Sequence, residues 1–200
     1  MLNHANNLVQ RHWAQYENEL KMTLITKRTI IKPLAKKDIS NVISMYKEPD
    51  SFKYVKPFSG KSDDFYTDFL KKKIESNINE VGFWTVSEKE SNEFIGTVNL
   101  NQFASTSMTQ IGCHLKRKFW NNGYASELLK EILGYGIEKR KLREIYGIFE
   151  EENIASRKLL EKLQFEHFEK KIILNTKVNI HKYCVQQRTE LNNKAFLDKF

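Results

Sequence analysis

The hydrophobic positions of this chain fall into two kinds of run that alternate along its length. Short apolar or alternating runs are typical of strands, and apolar residues spaced three and four apart are typical of amphipathic helices. The first pattern predicts strands at 28–34, 82–87, 94–100, 109–115, 143–149, 170–174 and 178–185. The second predicts helices at 39–46, 63–74, 125–137 and 153–163, and an earlier one within 3–22.

The connections between these elements predict how the strands pair. Polar turns at 90–92 and at 175–176 join successive strands, as in antiparallel hairpins. The strand at 109–115 is instead followed by a helix and then by the strand at 143–149. Such a crossover is right-handed and makes its two strands parallel neighbours. The pattern therefore predicts one α+β domain with a mixed, mostly antiparallel sheet.

Polar and small residues fill the turn between the strand at 109–115 and the next helix. The first turn of a helix has backbone N–H groups without helical partners and carries partial positive charge, so it can bind phosphate. Gly123 has no side chain and Ala125 only a methyl group, so an anion could approach this backbone closely. The basic segment 116–118 could add charge for further phosphates. The alternative is an ordinary strand–helix turn with a solvated basic edge.

Composition narrows the classes of partner. The net charge of +8 favours acidic ligands, but the basic residues are spread among 25 acids, so direct binding of nucleic acid is not expected. The two cysteines, Cys113 and Cys184, fit no metal spacing and predict reduced core thiols in a cytoplasmic protein without a metal. No signal peptide and no apolar window of membrane length is visible, so no membrane association is expected.

Residues 120–127, which read Trp-Asn-Asn-Gly-Tyr-Ala-Ser-Glu, resemble the acetyl-CoA pyrophosphate loop of the GNAT N-acetyltransferases. They are most similar to the RimJ/RimL branch, whose loop usually reads Trp-Gly-x-Gly-Tyr-Ala-Thr-Glu, and Asn121 stands at the first glycine. A second segment, Asn153 and Ser156 followed by a helix, is similar to the family's Asn-x-x-Ser pattern with its closing Lys-x-Gly-Phe. Gln164 replaces that glycine, which predicts a less tight turn or a strained backbone there.

The resemblance extends over roughly 26–187 and implies the α/β-type GNAT fold. That fold has a twisted mixed sheet with a splayed parallel strand pair and with helices on both faces. A domain at 23–187 would then follow an N-terminal helical extension at 1–22 and precede a C-terminal tail at 188–200. The extension and the tail could build a homodimer contact.

The same resemblance implies transfer of an acetyl group from acetyl-CoA to a primary amine by direct attack on the thioester. The first hypothesis is a RimJ/RimL-like enzyme that acetylates a protein N-terminus, with any link to nucleic acid being indirect, through the ribosome. The second is an N-acetyltransferase of a small amine such as a polyamine, an antibiotic or an amino-acid derivative. An acidic cluster near Asp63 and Asp64 would favour this second class. The third is a non-catalytic acyl-CoA-binding regulatory domain.

Roles for individual residues follow from the resemblance. The backbone N–H of Leu115 would polarise the thioester carbonyl, in a strand that the family bulges near Gly112 to admit pantetheine. Many members use a tyrosine to protonate the leaving thiolate, and Leu160 stands at that position here. RimL-like members use the serine three residues after the asparagine, so the resemblance assigns this role to Ser156; alternatively, Ser156 only supports the helix cap. The cofactor contacts implied by the two motifs are Leu115, Lys116, Arg117, Asn121, Asn122, Gly123, Tyr124, Ala125, Ser126, Asn153 and Ser156.

The acceptor side is less well defined by the sequence. Phe52, Tyr54 and Phe58 lie in the loop at 48–62, which in the family covers the acceptor site. These aromatic residues could line that site, or they could fold the loop onto the core. The general base is not identifiable; His114 is a candidate because it precedes Leu115, although a lone histidine on a strand is more often structural.

Overall fold

The computed structural model describes residues 22–76, 82–103, 106–173 and 175–185. Eight strands and four α-helices lie within these ranges. The strands are β1 (Leu24–Ile25), β2 (Thr29–Pro33), β3 (Phe83–Glu88), β4 (Phe94–Gln102), β5 (Thr109–Leu115), β6 (Glu144–Glu150), β7 (Glu166–Ile173) and β8 (Thr176–Cys184). The helices are α1 (Ile39–Tyr46), α2 (Asp63–Ser76), α3 (Tyr124–Glu138) and α4 (Ile154–Lys162).

The strands form one sheet in the order β1-β2-β3-β4-β5-β6-β8-β7. Every neighbouring pair is antiparallel except β5 and β6, which are parallel and are connected through α3. The predicted fold class is therefore confirmed, including the mixed sheet and its parallel pair. The predicted strand and helix bounds agree to within a few residues, and β1 is an addition that its two-residue length hid from the pattern.

The helices cover both faces of the sheet, as expected. On one face, α3 packs its buried residues Leu128, Leu129 and Ile132 into the main core. On the other face, α1 and α2 share a second core to which Phe83 contributes from the sheet, and Tyr66 lies within it. Successive strand residues face opposite sides, so one strand serves both cores.

The strands β5 and β6 pair near their beginnings and then separate. Gln110 of β5 lies opposite Tyr146 of β6, and beyond this point the two described strands no longer pair with each other. The expected bulge near Gly112 is wrong, because β4 and β5 pair in unbroken register along the whole of β5. Gly112 instead makes room for Asn99, whose Oδ1 would lie 2.9 Å from a Cβ at that position. The strand pair is therefore splayed without a bulge in β5.

The predicted helical extension at 1–22 and the tail at 188–200 lie outside the described residues, apart from Met22. That residue is buried, and its carbonyl oxygen accepts a hydrogen bond of 3.0 Å from Trp84 Nε1. Across the described ranges, no helix has the length and apolar character needed to cross a membrane. The same ranges contain no group of three His, Cys, Asp or Glu side chains arranged to hold a metal ion.

Candidate active site

The N-terminus of α3 is open to an anion. Gly123 occupies the N-cap with φ of 79°, and no side chain caps the helix. The first intrahelical hydrogen bond runs from Glu127 N to Gly123 O, at 3.2 Å. The N–H groups of the preceding residues, 123–126, therefore have no partner within the helix, and the dipole of the 15-residue α3 adds positive potential there.

The loop before this helix is held in shape by its own amide groups. Asn122 Nδ2 donates to the carbonyl oxygens of Trp120 at 3.0 Å and Lys118 at 3.3 Å. Asn121 has φ of 59°, the left-handed backbone that a glycine would also adopt. Because asparagine tolerates this region better than most residues, the change from the family's glycine preserves the backbone conformation.

Arg28 covers this loop from β2's end of the sheet, and the sequence analysis did not identify it. Its guanidinium stacks 3.9 Å from the centroid of the Tyr124 ring, and its Nη1 donates to Asn122 O at 3.0 Å. Its Nε donates to Glu127 Oε2 at 2.7 Å, while Thr26 Oγ1 donates to Glu127 Oε1 at 2.5 Å. Burial alone would raise the pKa of Glu127, but these hydrogen bonds bring it below its usual range. The carboxylate thus stays charged and fixes Arg28 beside the loop.

The three side chains of the basic segment 116–118 form ion pairs. Lys116 Nζ lies 4.0 Å from Glu48 Oε1, and Arg117 Nη1 bonds to Asp50 Oδ2 at 2.9 Å. Lys118 pairs with Glu93. All three side chains therefore have a carboxylate partner, and any phosphate would compete with it.

Leu115 directs its backbone into the space between the splayed strands. Lys116 N bonds to Ile95 O of the β4 side at 2.9 Å. Because an antiparallel strand alternates the edge to which its N–H groups point, the N–H and C=O of Leu115 face β6 instead. The C=O accepts from Trp120 Nε1 at 2.7 Å. The N–H has no strand opposite it, since β6 pairs with β5 only at Gln110 in the described register.

The N-terminus of α4 lies after β6, at the same end of the splayed pair. Asn153 Oδ1 accepts the N–H of Ser156 at 3.0 Å, which confirms Asn153 as the helix cap. Ser156 takes part in this cap through its backbone, and its half-buried hydroxyl has no hydrogen bond recorded among the described residues. Leu160 is buried against Gly147. The predicted strain after this helix is confirmed, because Gln164 has φ of 66°.

The loop between α1 and α2 folds onto β5 through His114. Phe52 is buried, and its ring centroid lies 5.1 Å from that of His114. Ser51 Oγ donates to Met45 O at 2.9 Å and therefore accepts from His114 Nε2, at 2.6 Å. Burial lowers the pKa of His114 to about 4, so the ring is neutral at pH 7. Phe52 and His114 thus serve the packing of the loop, in agreement with the structural alternative.

Comparisons with known proteins identify the family and the fold. A family model for an acetyltransferase (GNAT) domain matches residues 28–166. The uncharacterized N-acetyltransferase p20 of Bacillus licheniformis is 29% identical over 149 residues, which is 72% of this chain and 82% of that protein. A GNAT-family acetyltransferase structure from Bacillus anthracis has a TM-score of 0.70 at 22% identity, covering 82% of this chain and 98% of that one.

A Salmonella typhimurium structure, described as an acetyltransferase that modifies the N-terminal serine of ribosomal protein L7/L12, shares the fold. Its TM-score is 0.68 at 13% identity, and the match covers 80% of this chain and 96% of that one. At that identity the likeness concerns the fold alone. The family model, in contrast, spans well over half of the sequence. It includes β2, the N-termini of α3 and α4, and the splayed strands β5 and β6. The chain therefore belongs to the GNAT acetyltransferase family and is an N-acetyltransferase.

Proposed function

We propose that this enzyme moves the acetyl group of acetyl-CoA onto the N-terminal amine of a protein, in the manner of RimJ/RimL-like enzymes. The observation that carries the acetyl transfer is the backbone N–H of Leu115, which faces the gap between β5 and β6 without a strand partner. A fixed N–H group at such a place is suited to stabilise the oxyanion that forms when an amine attacks a thioester.

The residues at α3 fit a pyrophosphate. Four successive N–H groups at 123–126 lack helical partners, and the glycine at the cap has no side chain to block an anion. Asn121 and Asn122 shape this loop, and Tyr124 anchors it under Arg28. Lys116 and Arg117 would contribute only by exchanging Glu48 and Asp50 for phosphate. Acetyl-CoA would supply an acyl group activated as a thioester.

The chemistry requires little beyond positioning. Holding the amine against the thioester carbonyl can supply much of the rate, because a bimolecular step becomes effectively unimolecular. As the C–N bond forms and the C–S bond breaks, the amine nitrogen would release one proton to solvent. Ser156 would give its hydroxyl proton to the leaving thiolate and regain one from solvent. Its hydroxyl is available for this role, and Asn153 fixes the backbone that carries it.

A row of carboxamides supports a peptide as the acceptor. Asn99, Asn101 and Gln110 lie half-buried on the sheet face that α1 and α2 cover, with Asn99 Nδ2 bonded to Asn101 Oδ1 at 2.7 Å. Neutral amides pair well with peptide backbone, whereas a polycation would need several carboxylates. Asp63 does not supply such a cluster, because it is exposed and pairs with Lys47 at 2.7 Å.

The test is release of CoA thiol from acetyl-CoA in the presence of different amines. We expect turnover with peptides that begin with serine or alanine, and none with spermidine or aminoglycosides. Turnover with a small amine alone would overturn the peptide assignment and leave the enzyme class intact. Binding of acetyl-CoA without turnover on any amine would contradict the proposed transfer.

A further inference from the structure

Glu150 is a buried carboxylate with an unused oxygen. Its side chain is 4% exposed, and its Oε1 accepts the backbone N–H of Lys56 at 3.0 Å. Its Oε2 has no hydrogen-bond partner and is inaccessible to solvent in the described structure. Among the described residues, the cation nearest to it is Lys56 Nζ, at 3.6 Å, which is too long for a hydrogen bond. An acceptor of this kind is costly to bury unless something donates to it.

The place of Glu150 in the fold connects it with the gap between the splayed strands. It ends β6, as Leu115 ends β5, and the two strands run parallel after pairing at Gln110 and Tyr146. Both residues therefore lie at the end where the strands have separated. Glu150 also shares a sheet face with Tyr146, because residues two and four apart on a strand point to the same side.

The loop between α1 and α2 spans this gap. Ser51 in the loop contacts His114 of β5, and Lys56 in the same loop contacts Glu150 of β6. The loop thus covers the opening on the face opposite α3, whose N-terminus is the proposed phosphate site. Oε2 of Glu150 is buried where this loop meets β6, so an acceptor reaches it only when the loop around Lys56 moves aside.

We infer that Glu150 holds the amine nitrogen of the acceptor, with Oε2 accepting one of its N–H groups. A primary ammonium or amine supplies the donor that this oxygen lacks, and the carboxylate compensates the positive charge. Lys56 is the resident counter-ion, and its 64% exposed side chain is free to move to solvent when the substrate ammonium takes its place. The inference rests on the proposed acetyl transfer and specifies the residue that selects an amine as acceptor.

A purely structural role for the Lys56–Glu150 pair makes different predictions. If Glu150 only anchors the loop, removal of either charge should weaken the fold and the activity together. If Glu150 holds the substrate amine, the two charges have opposite effects. Loss of the Glu150 charge should impair amine binding, and loss of the Lys56 charge should improve it because a competitor for the carboxylate is removed.

The experiment compares three variants by initial rates of thiol release with a serine-starting peptide at saturating acetyl-CoA. Glu150→Gln keeps the size of the side chain and an oxygen for the Lys56 N–H, but it turns an amide N–H toward the amine. We expect its KM for the peptide to rise about tenfold or more, while the Kd for CoA is unchanged. Lys56→Met should lower the peptide KM by about twofold to fivefold, the size expected for a half-solvated ion pair.

Glu144→Gln is the matched control, because Glu144 begins the same strand, at the end where β5 and β6 pair, and bonds to Tyr146 and Lys182. Its peptide KM should equal that of the unaltered enzyme. An unchanged KM in Glu150→Gln would overturn the inference, and so would a raised KM in Lys56→Met, which is decisive even if the first variant folds poorly. If the unaltered enzyme turns over no amine, the proposed function fails. Calorimetric binding of the peptide to the enzyme–CoA complex, weakened by Glu150→Gln, would then still support Glu150, and no binding would refute it.

Discussion

Replacing Gly123 with alanine tests whether the turn before α3 receives the phosphates of acetyl-CoA. Gly123 has φ of 79°, and a Cβ at this position would meet only Arg28 Nη2, at 3.6 Å. The methyl group therefore fits against the protein, and the cost to the free enzyme is backbone strain. That strain should lower the free energy of unfolding by about 1 kcal/mol. The melting temperature of a domain of this size should then fall by about 2–4 °C.

The same methyl group would stand where a phosphate must approach the free N–H groups at the start of α3. Loss of one charge-assisted hydrogen bond, worth about 1.5–3 kcal/mol, should raise the KM for acetyl-CoA by about 10–100-fold. The Kd for CoA, measured by calorimetry, should rise by the same factor. The KM for the acceptor amine should stay constant, because the carboxamide row and Glu150 are unaffected.

Gly60 supplies the matched control for backbone strain. It has φ of 69°, and a Cβ at this position would meet nothing within 4 Å. Gly60→Ala should therefore show the same small loss of stability without a change in the KM for acetyl-CoA. Equal KM values for acetyl-CoA in Gly123→Ala and the unaltered enzyme would refute the phosphate assignment, whatever the melting temperatures.

Three further predictions concern the packing around the site. Gly96→Ala would place a Cβ 2.2 Å from His114 O, so the free energy of unfolding measured in urea should fall by about 3 kcal/mol. Gly134→Ala is the control: a Cβ there meets nothing within 4 Å, so the free energy of unfolding should rise by about 0.5–1 kcal/mol. Burial lowers the pKa of His114 to about 4 in the folded protein, so as the pH falls this histidine takes up a proton in the unfolded chain before it does so in the folded one. Stability should therefore drop by about 3 kcal/mol between pH 6.5 and pH 4, and His114→Gln should flatten that slope. Burial raises the pKa of Cys113 to about 12, so its thiol should resist disulfide reagents at pH 8 until urea unfolds the protein.

The parts of the fold that depend on local pattern could be predicted from the sequence. The run at 109–115 became β5 with the same bounds, and α3 begins at Tyr124, next to the small residues that suggested a helix start. The parallel pairing of β5 with β6 followed from the handedness of the crossover between them. Left-handed backbone at Gln164 followed from its occupying a glycine position of the family pattern.

The contacts that shape the site are distant in sequence, and no local pattern encodes them. Arg28 and Glu127 are 99 positions apart, and Lys56 and Glu150 are 94 apart. The sequence left the basic segment 116–118 either as extra charge for phosphates or as a solvated edge, whereas its side chains pair with carboxylates from other loops. One sequence signal did point to Glu150, because it directly follows an apolar strand run. An acidic side chain at the end of a buried strand is rarely buried unless it is paired.

The most direct test of the account is a nuclear magnetic resonance titration of the 15N-labelled enzyme with acetyl-CoA. In the proposed complex the cofactor lies between the N-terminus of α3 and the N–H of Leu115. The amide signals of 123–126 and of Leu115 should shift together with one Kd, while the amide of Gly134, in the middle of α3, should not move. Shifts confined to another surface, or shifts at α3 without any at Leu115, would contradict the claim.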